Sequence, residues 1–332
     1  MDEAGLRRSL ARMGLLRPDD TPRFRPLGGG VSSDIWRVEA GARRFCVKRA
    51  LPRLRVAADW RVPVARNRYE AAWLRTVAGI LPEAVPELLG EDREAGLFAM
   101  AWLDPGTHPP WKGELLAGRI DPAAAAAVGR ALARIHGETA GRPEIARRFA
   151  TDGLFHALRL EPYLEATARA HPRVAERLHR LAATTARHRF VLVHGDVSPK
   201  NILLGPRGPV FLDAECAWYG DPAFDLAFCL NHLLLKAVHR PDRCEPLLAA
   251  YAALHDAYLA GIRFAPATGL AERVARLLPG LLLARIDGKS PVEYLETEAQ
   301  RAFVRETAIR LLWEPPARPE AIAALWQREL AR

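Results

Sequence analysis

Four polar side chains near the middle of the chain have types and spacing that could perform chemistry. Asp196 and Asn201 are five residues apart, and Asp213 and Glu215 follow the apolar residues 210–212. A carboxylate in a loop can orient a hydroxyl group and accept its proton. An amide oxygen and a second carboxylate can hold Mg²⁺ against phosphate groups. This order of residue types therefore indicates phosphoryl transfer from a metal-bound nucleotide.

A glycine-rich segment and an isolated lysine precede these residues. Residues 27–34 read Leu-Gly-Gly-Gly-Val-Ser-Ser-Asp. Glycines let backbone N–H groups approach phosphate oxygens, although a simple hairpin turn uses the same residues. Lys48, on the next expected strand, is one of only five lysines among 48 basic residues. In kinases such a lysine binds the α- and β-phosphates and pairs with a helix glutamate, and Glu70 lies on the following expected helix. The residues expected to bind the nucleotide here are Gly29, Gly30, Ser32, Lys48 and Glu70.

The motif around Asp196 resembles a known family. Residues 193–201 read Val-His-Gly-Asp-Val-Ser-Pro-Lys-Asn, and residues 210–215 read Val-Phe-Leu-Asp-Ala-Glu. This pattern resembles the phosphotransfer motif of the aminoglycoside phosphotransferase and choline kinase superfamily, over roughly residues 25–310. The resemblance implies ATP and Mg²⁺ as cofactors and a protein-kinase-like fold. The roles that it implies are Asp196 as catalytic base, Asn201 and Asp213 as Mg²⁺ ligands, and Glu215 as an outer-sphere or second-metal carboxylate.

The same resemblance assigns supporting roles. His194 would pack and hydrogen-bond within the catalytic loop, and Asp225 in the Gly-Asp-Pro-Ala-Phe-Asp-Leu-Ala segment at 220–227 would anchor that loop from a buried helix. Residues 99–103 resemble the hinge that contacts adenine through backbone groups. Met100 is then a core residue or part of the pocket wall, and Trp102 either lines the cleft or packs.

The sequence indicates the acceptor substrate less clearly than it indicates the nucleotide and metal sites. Residues 48–55 and 67–74 look like the N-lobe of methylthioribose kinases, which carry an arginine pair for the sugar near the position of Arg285. Only Arg285 is present here, since Ile286 follows it. Trp218, shortly after Glu215, is a second candidate for substrate contact. We expect a small-molecule hydroxyl substrate, which is a sugar, methylthioribose-like or aminoglycoside-type compound.

Composition limits the other classes of function. The 332 residues carry a net charge of +9, but the arginines are spread along the chain and interleaved with acids, which does not indicate a nucleic-acid surface. No run of about 18 apolar residues predicts a membrane span. The four cysteines lack metal-site or redox-pair spacing and are expected to be reduced thiols. We expect a cytoplasmic monomer or homodimer with no nucleic-acid or membrane partner.

Two alternatives stay open at this point. A non-catalytic, nucleotide-binding pseudokinase or scaffold would bind nucleotide without transferring phosphate. A basic nucleic-acid binder would show a steep dependence of binding on salt.

The elements needed to position these residues predict an α+β, two-lobed fold. We expect a small antiparallel β-sheet N-lobe over residues 1–103 and a mainly helical C-lobe over 104–332. The helices expected from periodicity and capping are 66–78, 121–136, 173–186, 224–239, 273–285, 298–313 and 318–331.

Overall fold

The computed structural model describes residues 2–28, 32–55, 60 and 62–331. Its N-terminal part contains five antiparallel strands, which are β1 (Arg23–Leu27), β2 (Ser33–Ala40), β3 (Arg43–Ala50), β4 (Leu88–Asp92) and β5 (Leu97–Ala101). They form one sheet in the order β1-β2-β3-β5-β4. β2 and β3 are joined by a tight turn at Gly41, whose φ is +60°, a conformation that glycine adopts without strain.

Two helices pack against this sheet. The first, α1 (Glu3–Arg12), shares a small core with Phe45 and Val47 of β3. The second is α2 (Arg66–Ala78), which contacts β3, β4 and β5. Successive side chains of a strand point to opposite faces, so Lys48 lies on the face opposite Phe45 and Val47. Lys48 therefore meets α2 rather than α1.

The rest of the chain is mainly helical. Its helices are α3 (Trp111–Leu116), α4 (Pro122–Thr139), α5 (Pro143–Arg148), α6 (Asp152–Phe155), α7 (Ala166–Ala170), α8 (Ala175–Arg187), α9 (Pro222–His239), α10 (Cys244–Gly261), α11 (Ala267–Asp287), α12 (Glu298–Trp313) and α13 (Pro319–Leu330). Helix α9 is the centre of the core, because every residue from Pro222 to Val238 is buried. It contacts α10, α11, α12 and α13.

A π-helical segment, His156–Glu165, joins α6 to α7 without a break. Pro162 lies inside it and has no N–H to donate to the preceding turn. A wider π turn accommodates such an interruption, and π segments are frequent at functional sites. The segment turns Arg159 and Tyr163 toward the core, where both are buried.

Two short hairpin-like pairs carry the loops of the site. The strands are β6 (Val191–Val193), β7 (Ile202–Gly205), β8 (Gly208–Phe211) and β9 (Trp218–Gly220). β6 pairs with β9, and β7 pairs with β8, both antiparallel. The loop between β6 and β7 therefore lies beside the loop between β8 and β9.

The predicted α+β, two-lobed architecture is confirmed. The helices at Arg66–Ala78 and Glu298–Trp313 have the predicted bounds. Asp121 caps α4 as expected, accepting from Ala123 N at 2.8 Å, but α4 continues to Thr139 rather than ending at His136. Helix α1, helix α10 and the π-helical segment were not predicted. The predicted lobe boundary at 103/104 falls between β5 and α3 and stays a prediction. None of the helices described is long and apolar enough to cross a membrane.

Candidate active site

Lys48 binds two carboxylates, one from each lobe. Its ammonium nitrogen donates to Glu70 Oε1 of α2 at 2.7 Å and also to Asp213 Oδ1, just beyond β8. Lys48 and Glu70 are almost fully buried, whereas about 39% of the Asp213 side chain is exposed. Burial alone would lower the pKa of Lys48, but the two carboxylates outweigh it and raise that pKa. Lys48 is therefore a fixed positive charge at the junction of the lobes.

Asp213 has an unusual backbone. Its φ is 63°, which makes it the one residue other than glycine with positive φ in the described part of the chain. Such a conformation is strained for a residue with a Cβ and is often found at functional sites. The strain turns the Asp213 carboxylate toward β3, where Lys48 binds it.

The loop between β6 and β7 is held from below by α9. Asp225 Oδ2 accepts from His194 N at 2.7 Å, and Asp225 Oδ1 accepts from Gly195 N at 2.8 Å. Gly195 has φ +78°, and a Cβ there would lie 2.8 Å from Cys216, so only glycine fits. The carboxylate of Asp225 therefore fixes two successive N–H groups directly before Asp196.

His194 is held as a neutral ring. Its Nδ1 accepts from Asp196 N at 3.1 Å, which leaves Nε2 to donate to Leu212 O at 3.0 Å. Burial lowers the pKa of His194, and the nearby carboxylate of Asp225 opposes this without reversing it. A neutral ring with its proton on Nε2 satisfies both bonds. His194 therefore links the loop of Asp196 to the strand that leads into Asp213.

Asp196 is a buried but ionised carboxylate. Its Oδ2 lies 2.9 Å from Arg159 Nη2 and 3.5 Å from Lys200 Nζ. Burial would raise the pKa of Asp196, but the charges of Arg159 and Lys200 outweigh it and lower that pKa. Arg159 also donates to Gly195 O. Arg159 thus positions both the backbone and the side chain at the loop that carries Asp196.

Asn201 and Asp213 offer oxygens that fit a divalent cation. Asn201 Nδ2 donates to Asp196 O at 3.1 Å, and no donor among the described residues reaches its Oδ1. Asp213 uses Oδ1 for Lys48, and no described donor reaches Oδ2. Free amide and carboxylate oxygens are the ligands that Mg²⁺ prefers.

Glu215 is engaged on one side by a buried arginine. Arg66 Nε donates to Glu215 Oε2 at 2.9 Å. The same guanidinium donates to the carbonyl oxygens of Ser32 at 2.5 Å and Leu51 at 2.6 Å, at the open end of the β2–β3 hairpin. Arg66 therefore ties the open end of the β2–β3 hairpin to the loop after β8, and one Glu215 oxygen is already occupied.

Comparison with known proteins identifies the family. A model of the phosphotransferase enzyme family matches residues 23–267, which include every residue of the geometry described above. The chain belongs to the phosphotransferase enzyme family. The predicted resemblance to this family is confirmed.

Individual relatives agree with the family assignment. The chain is 29% identical over 270 residues to a methylthioribose kinase of Pectobacterium atrosepticum, covering 71% of this chain and 66% of that protein. It thus spans just under two thirds of that relative's length. Two solved structures share the fold. One is a Plasmodium vivax ethanolamine kinase, with a TM-score of 0.56 and 13% identity, and the match covers 90% of this chain and 85% of that chain. The other is an amicoumacin kinase in complex with AMP-PNP and Ca²⁺, with a TM-score of 0.54 and 16% identity, and the match covers 96% of each chain.

The other residues predicted to bind the nucleotide lie in the N-terminal lobe, beside β2 and at the end of β5. Gly29 and Gly30 are outside the described residues. Ser32 is described, and its carbonyl oxygen accepts from Leu51 N at 2.9 Å as well as from Arg66. Met100, on β5, and Trp102, just after it, are half-buried. Arg37 lies 5.0 Å from the Trp102 ring centroid, so Trp102 packs against β2.

The two residues predicted to contact the substrate, Trp218 and Arg285, have different surroundings. Trp218 is buried, stacks on Phe155 with 4.3 Å between ring centroids, and donates to Asp152 Oδ1 at 2.8 Å, and its contact with substrate stays a prediction. Arg285 is also buried, but it lies beside Tyr163, to whose hydroxyl it donates at 3.3 Å.

Several residues of this site were not predicted. They are Arg66, Arg159 and Lys200. Arginine is so common in this chain that Arg66 and Arg159 give no signal in the sequence. Lysine is rare, and the reasoning that selected Lys48 would also have selected Lys200 and Lys236.

Proposed function

We propose that this chain is an ATP- and Mg²⁺-dependent phosphotransferase that moves the γ-phosphoryl group to a hydroxyl of a small molecule. The observation that carries this proposal is the contact of Lys48 with both Glu70 and Asp213. It joins a phosphate-binding cation of the sheet to a metal-binding carboxylate of the helical lobe. The named relatives are a methylthioribose kinase and other small-molecule kinases, which supports a small-molecule acceptor.

Asp196 is the proposed base of the reaction. Its carboxylate is ionised, so it can accept a hydrogen bond from the acceptor hydroxyl and orient the oxygen lone pair. As the new O–P bond forms and the bond to the departing ADP breaks, the hydroxyl proton passes to Asp196 Oδ1. Arg159 and Lys200 hold Oδ2, which leaves Oδ1 as the oxygen that faces the acceptor.

Asn201 and Asp213 are the proposed ligands of Mg²⁺, with Glu215 farther out because Arg66 holds one of its oxygens. Mg²⁺ supplies charge neutralisation of the phosphate oxygens when it is bound. Lys48 adds a positive charge at the phosphates. The Asp225 and His194 contacts keep Asp196 and Asp213 at a fixed separation, so that the chain provides positioning and electrostatics rather than covalent catalysis.

Transfer of label from γ-labelled ATP in the presence of MgCl₂ tests this proposal. The acceptor panel contains methylthioribose, neutral sugars, aminoglycosides, hydroxy acids and phosphate esters. We expect label in one acceptor class with the wild type, and turnover about 10² to 10⁴ times lower in Asp196→Asn, with ADP affinity unchanged. Asp242→Asn is the matched control, because Asp242 is an exposed carboxylate paired with Arg240.

Two results would contradict the proposal. Undiminished turnover in Asp196→Asn would remove the role of this carboxylate. Tight binding of Mg²⁺ and ATP with no transfer to any acceptor class would favour the pseudokinase instead.

A further inference from the structure

A buried lysine on α9 has no acidic partner. Lys236 is 1% exposed. Its ammonium group makes no hydrogen bond or ion pair with any residue in the described part of the chain, and it lies over the face of Tyr294, 4.6 Å from the ring centroid. An unpaired buried charge costs several kcal/mol. A lysine in this position therefore either loses its proton or is balanced by an anion.

Two donor atoms near Lys236 have no acceptor, although Arg285 Nη1 donates to Ser290 O and to Ser290 Oγ. Arg285 Nε and the Tyr294 hydroxyl are both buried and have no hydrogen-bond partner among the described residues. The acid that most affects Lys236 is Glu293, but it pairs with Lys112 and about 65% of its side chain is exposed. The cluster formed by Lys236, Arg285 and Tyr294, which we call the cationic pocket, thus presents donors from α9, α11 and the segment after α11.

A chain of side-chain contacts links the cationic pocket to the proposed base. Arg285 Nη1 donates to the Tyr163 hydroxyl at 3.3 Å, and the Arg159 guanidinium carbon lies 5.6 Å from the Tyr163 ring centroid. Arg159 in turn binds Asp196. Two side chains of the π-helical segment therefore connect Asp196 to Arg285.

Electrostatic coupling indicates the same proximity. Burial lowers the pKa of His232, one helical turn before Lys236, and the charges of Arg285, Lys236 and Lys200 lower it further. Lys200 also binds Asp196 at 3.5 Å. Cations of the catalytic loop and of the cationic pocket therefore both act on His232.

We propose that the acceptor of this enzyme carries an oxyanion, a carboxylate or a phosphate ester, and that the cationic pocket of Lys236, Arg285 and Tyr294 binds it. The oxyanion would accept hydrogen bonds from all three groups and balance the buried charges. A polycationic acceptor such as an aminoglycoside is disfavoured by the same charges. The position of the acceptor hydroxyl at Asp196 rests on the proposed function, whereas the pocket itself rests only on the geometry of these three residues.

The state of Lys236 makes binding measurable without catalysis. Burial lowers the pKa of Lys236 to about 7, and the neighbouring Lys112 adds to this effect. An anion within about 4–6 Å raises the pKa of a lysine by about 1 or more. Because the chain has only five lysines, ¹³Cε labelling of lysine gives a spectrum in which Lys236 is assigned by its absence in Lys236→Met.

The first experiment follows this resonance during pH titrations of the full chain. The probes are inorganic phosphate and D-glycerate, with glycerol as the neutral control. We expect phosphate or glycerate to raise the pKa of Lys236 by about 1 or more and glycerol to leave it unchanged. A larger effect of phosphate assigns the pocket to phosphate esters, and a larger effect of glycerate assigns it to carboxylates. No response to either anion overturns the proposal.

The second experiment compares acceptors in pairs in which one member carries an anionic group that the other lacks. The pairs are gluconate with glucitol and ribose 5-phosphate with ribose. We expect the anionic member to be preferred and Lys236→Met to lower kcat/KM for it by on the order of 100-fold, with the neutral member changed less than about 3-fold. Lys289→Met is the matched control, because Lys289 pairs with Glu161 at 2.8 Å outside the pocket.

The two experiments separate the two proposals. A shifted Lys236 resonance without any phosphate transfer supports the anion site and contradicts the kinase. Transfer to neutral acceptors that is equal in wild type and Lys236→Met supports the kinase and overturns the anion site.

Discussion

Lys48 and Lys236 are buried to the same extent and have opposite surroundings. Each is 1% exposed. Lys48 binds two carboxylates, Glu70 and Asp213, whereas Lys236 faces the ring of Tyr294 and other cations. The pKa of Lys48 is accordingly raised and that of Lys236 is lowered. The same side chain is a fixed charge in one region and a titratable group in the other.

The comparison shows which parts of the site are complete without a ligand. At the nucleotide side the chain supplies both signs of charge, so the triad at Lys48 is organised in the free protein. At the acceptor side the chain supplies mainly donors, so the arrangement is balanced only when an anion is present. Because the interior holds unbalanced positive charge, we expect it to bind an anionic acceptor.

Replacing Lys48 should have the largest effect on stability. Lys48→Met leaves Glu70 and Asp213 facing each other without a cation, and loss of one partner of a buried ion pair costs about 3–5 kcal/mol. Urea unfolding at pH 7.5 measures the loss. Adding Glu70→Gln to Lys48→Met should recover part of it, and an unchanged free energy of unfolding in Lys48→Met would show that the triad does not stabilise the fold.

Replacing Lys236 should change the free energy of unfolding in the opposite direction. Lys236→Met removes an unpaired buried charge and keeps the unbranched chain, so we expect the free energy of unfolding to rise by about 1–2 kcal/mol. Thermal and urea unfolding of Lys236→Met and of the control Lys289→Met test this. Destabilisation by Lys236→Met as large as that by Lys48→Met would remove the difference between the two lysines.

The difference in stability between Lys236→Met and the wild type should also depend on pH. The pKa of Lys236 is about 7 in the folded chain and 10.5 as its ordinary value, so the unfolded chain binds one more proton between these values. The wild type therefore gains up to about 1.4 kcal/mol per pH unit from this group as pH rises through the interval. The groups that act on Lys236 are Cys229, His232, Lys112, Arg285, Glu293 and Tyr294. We expect the advantage of Lys236→Met to be greatest below pH 7 and to shrink toward pH 10. An advantage that is constant with pH would contradict this reading.

The smallest effect should come from Glu293, the acid that most strongly raises the pKa of Lys236. Its side chain is about 65% exposed, so solvent screens its charge. Glu293→Gln should lower the pKa of Lys236 by less than about 1, as followed by the ¹³Cε resonance. A larger change would mean that Glu293 is the partner of Lys236 and that the cationic pocket is balanced without a ligand.

Sequence reasoning named more residues of the nucleotide side than of the acceptor side, where it named Arg285 but neither Lys236 nor Tyr294. Lys48, Glu70, Asp196, Asn201 and Asp213 lie in local motifs whose spacing reflects one strand, one helix or one loop. The contacts of Lys236 with Tyr294 and of Arg285 with Tyr163 join residues 58 and 122 positions apart. No short pattern encodes such contacts, because they arise from the packing of α9, α11 and the π-helical segment.

The fold was predictable to a similar degree. Helix α2 had clear periodicity and was predicted with its observed bounds. Helix α10 was missed because its apolar residues surround it almost evenly, which hides the period of a helix. His136, on α4, is buried and bonds Tyr258 of α10 at 2.8 Å and Asp225 at 3.2 Å. That bond needs the position of α10, which the sequence did not indicate.

Helix α9 carries both Asp225, which holds the catalytic loop, and Lys236, which faces the cationic pocket. The two positions are eleven residues apart, or about 16 Å along the helix axis. A buried helix neither stretches nor bends easily. Helix α9 therefore fixes the distance between the catalytic loop, where the hydroxyl would react, and the cationic pocket, where the anion would bind. An acceptor would then be selected by its length as well as its charge. A series of hydroxy acids that differ by one methylene each should show a single optimum, and inserting one residue into α9 would turn Lys236 by about 100° away from the pocket.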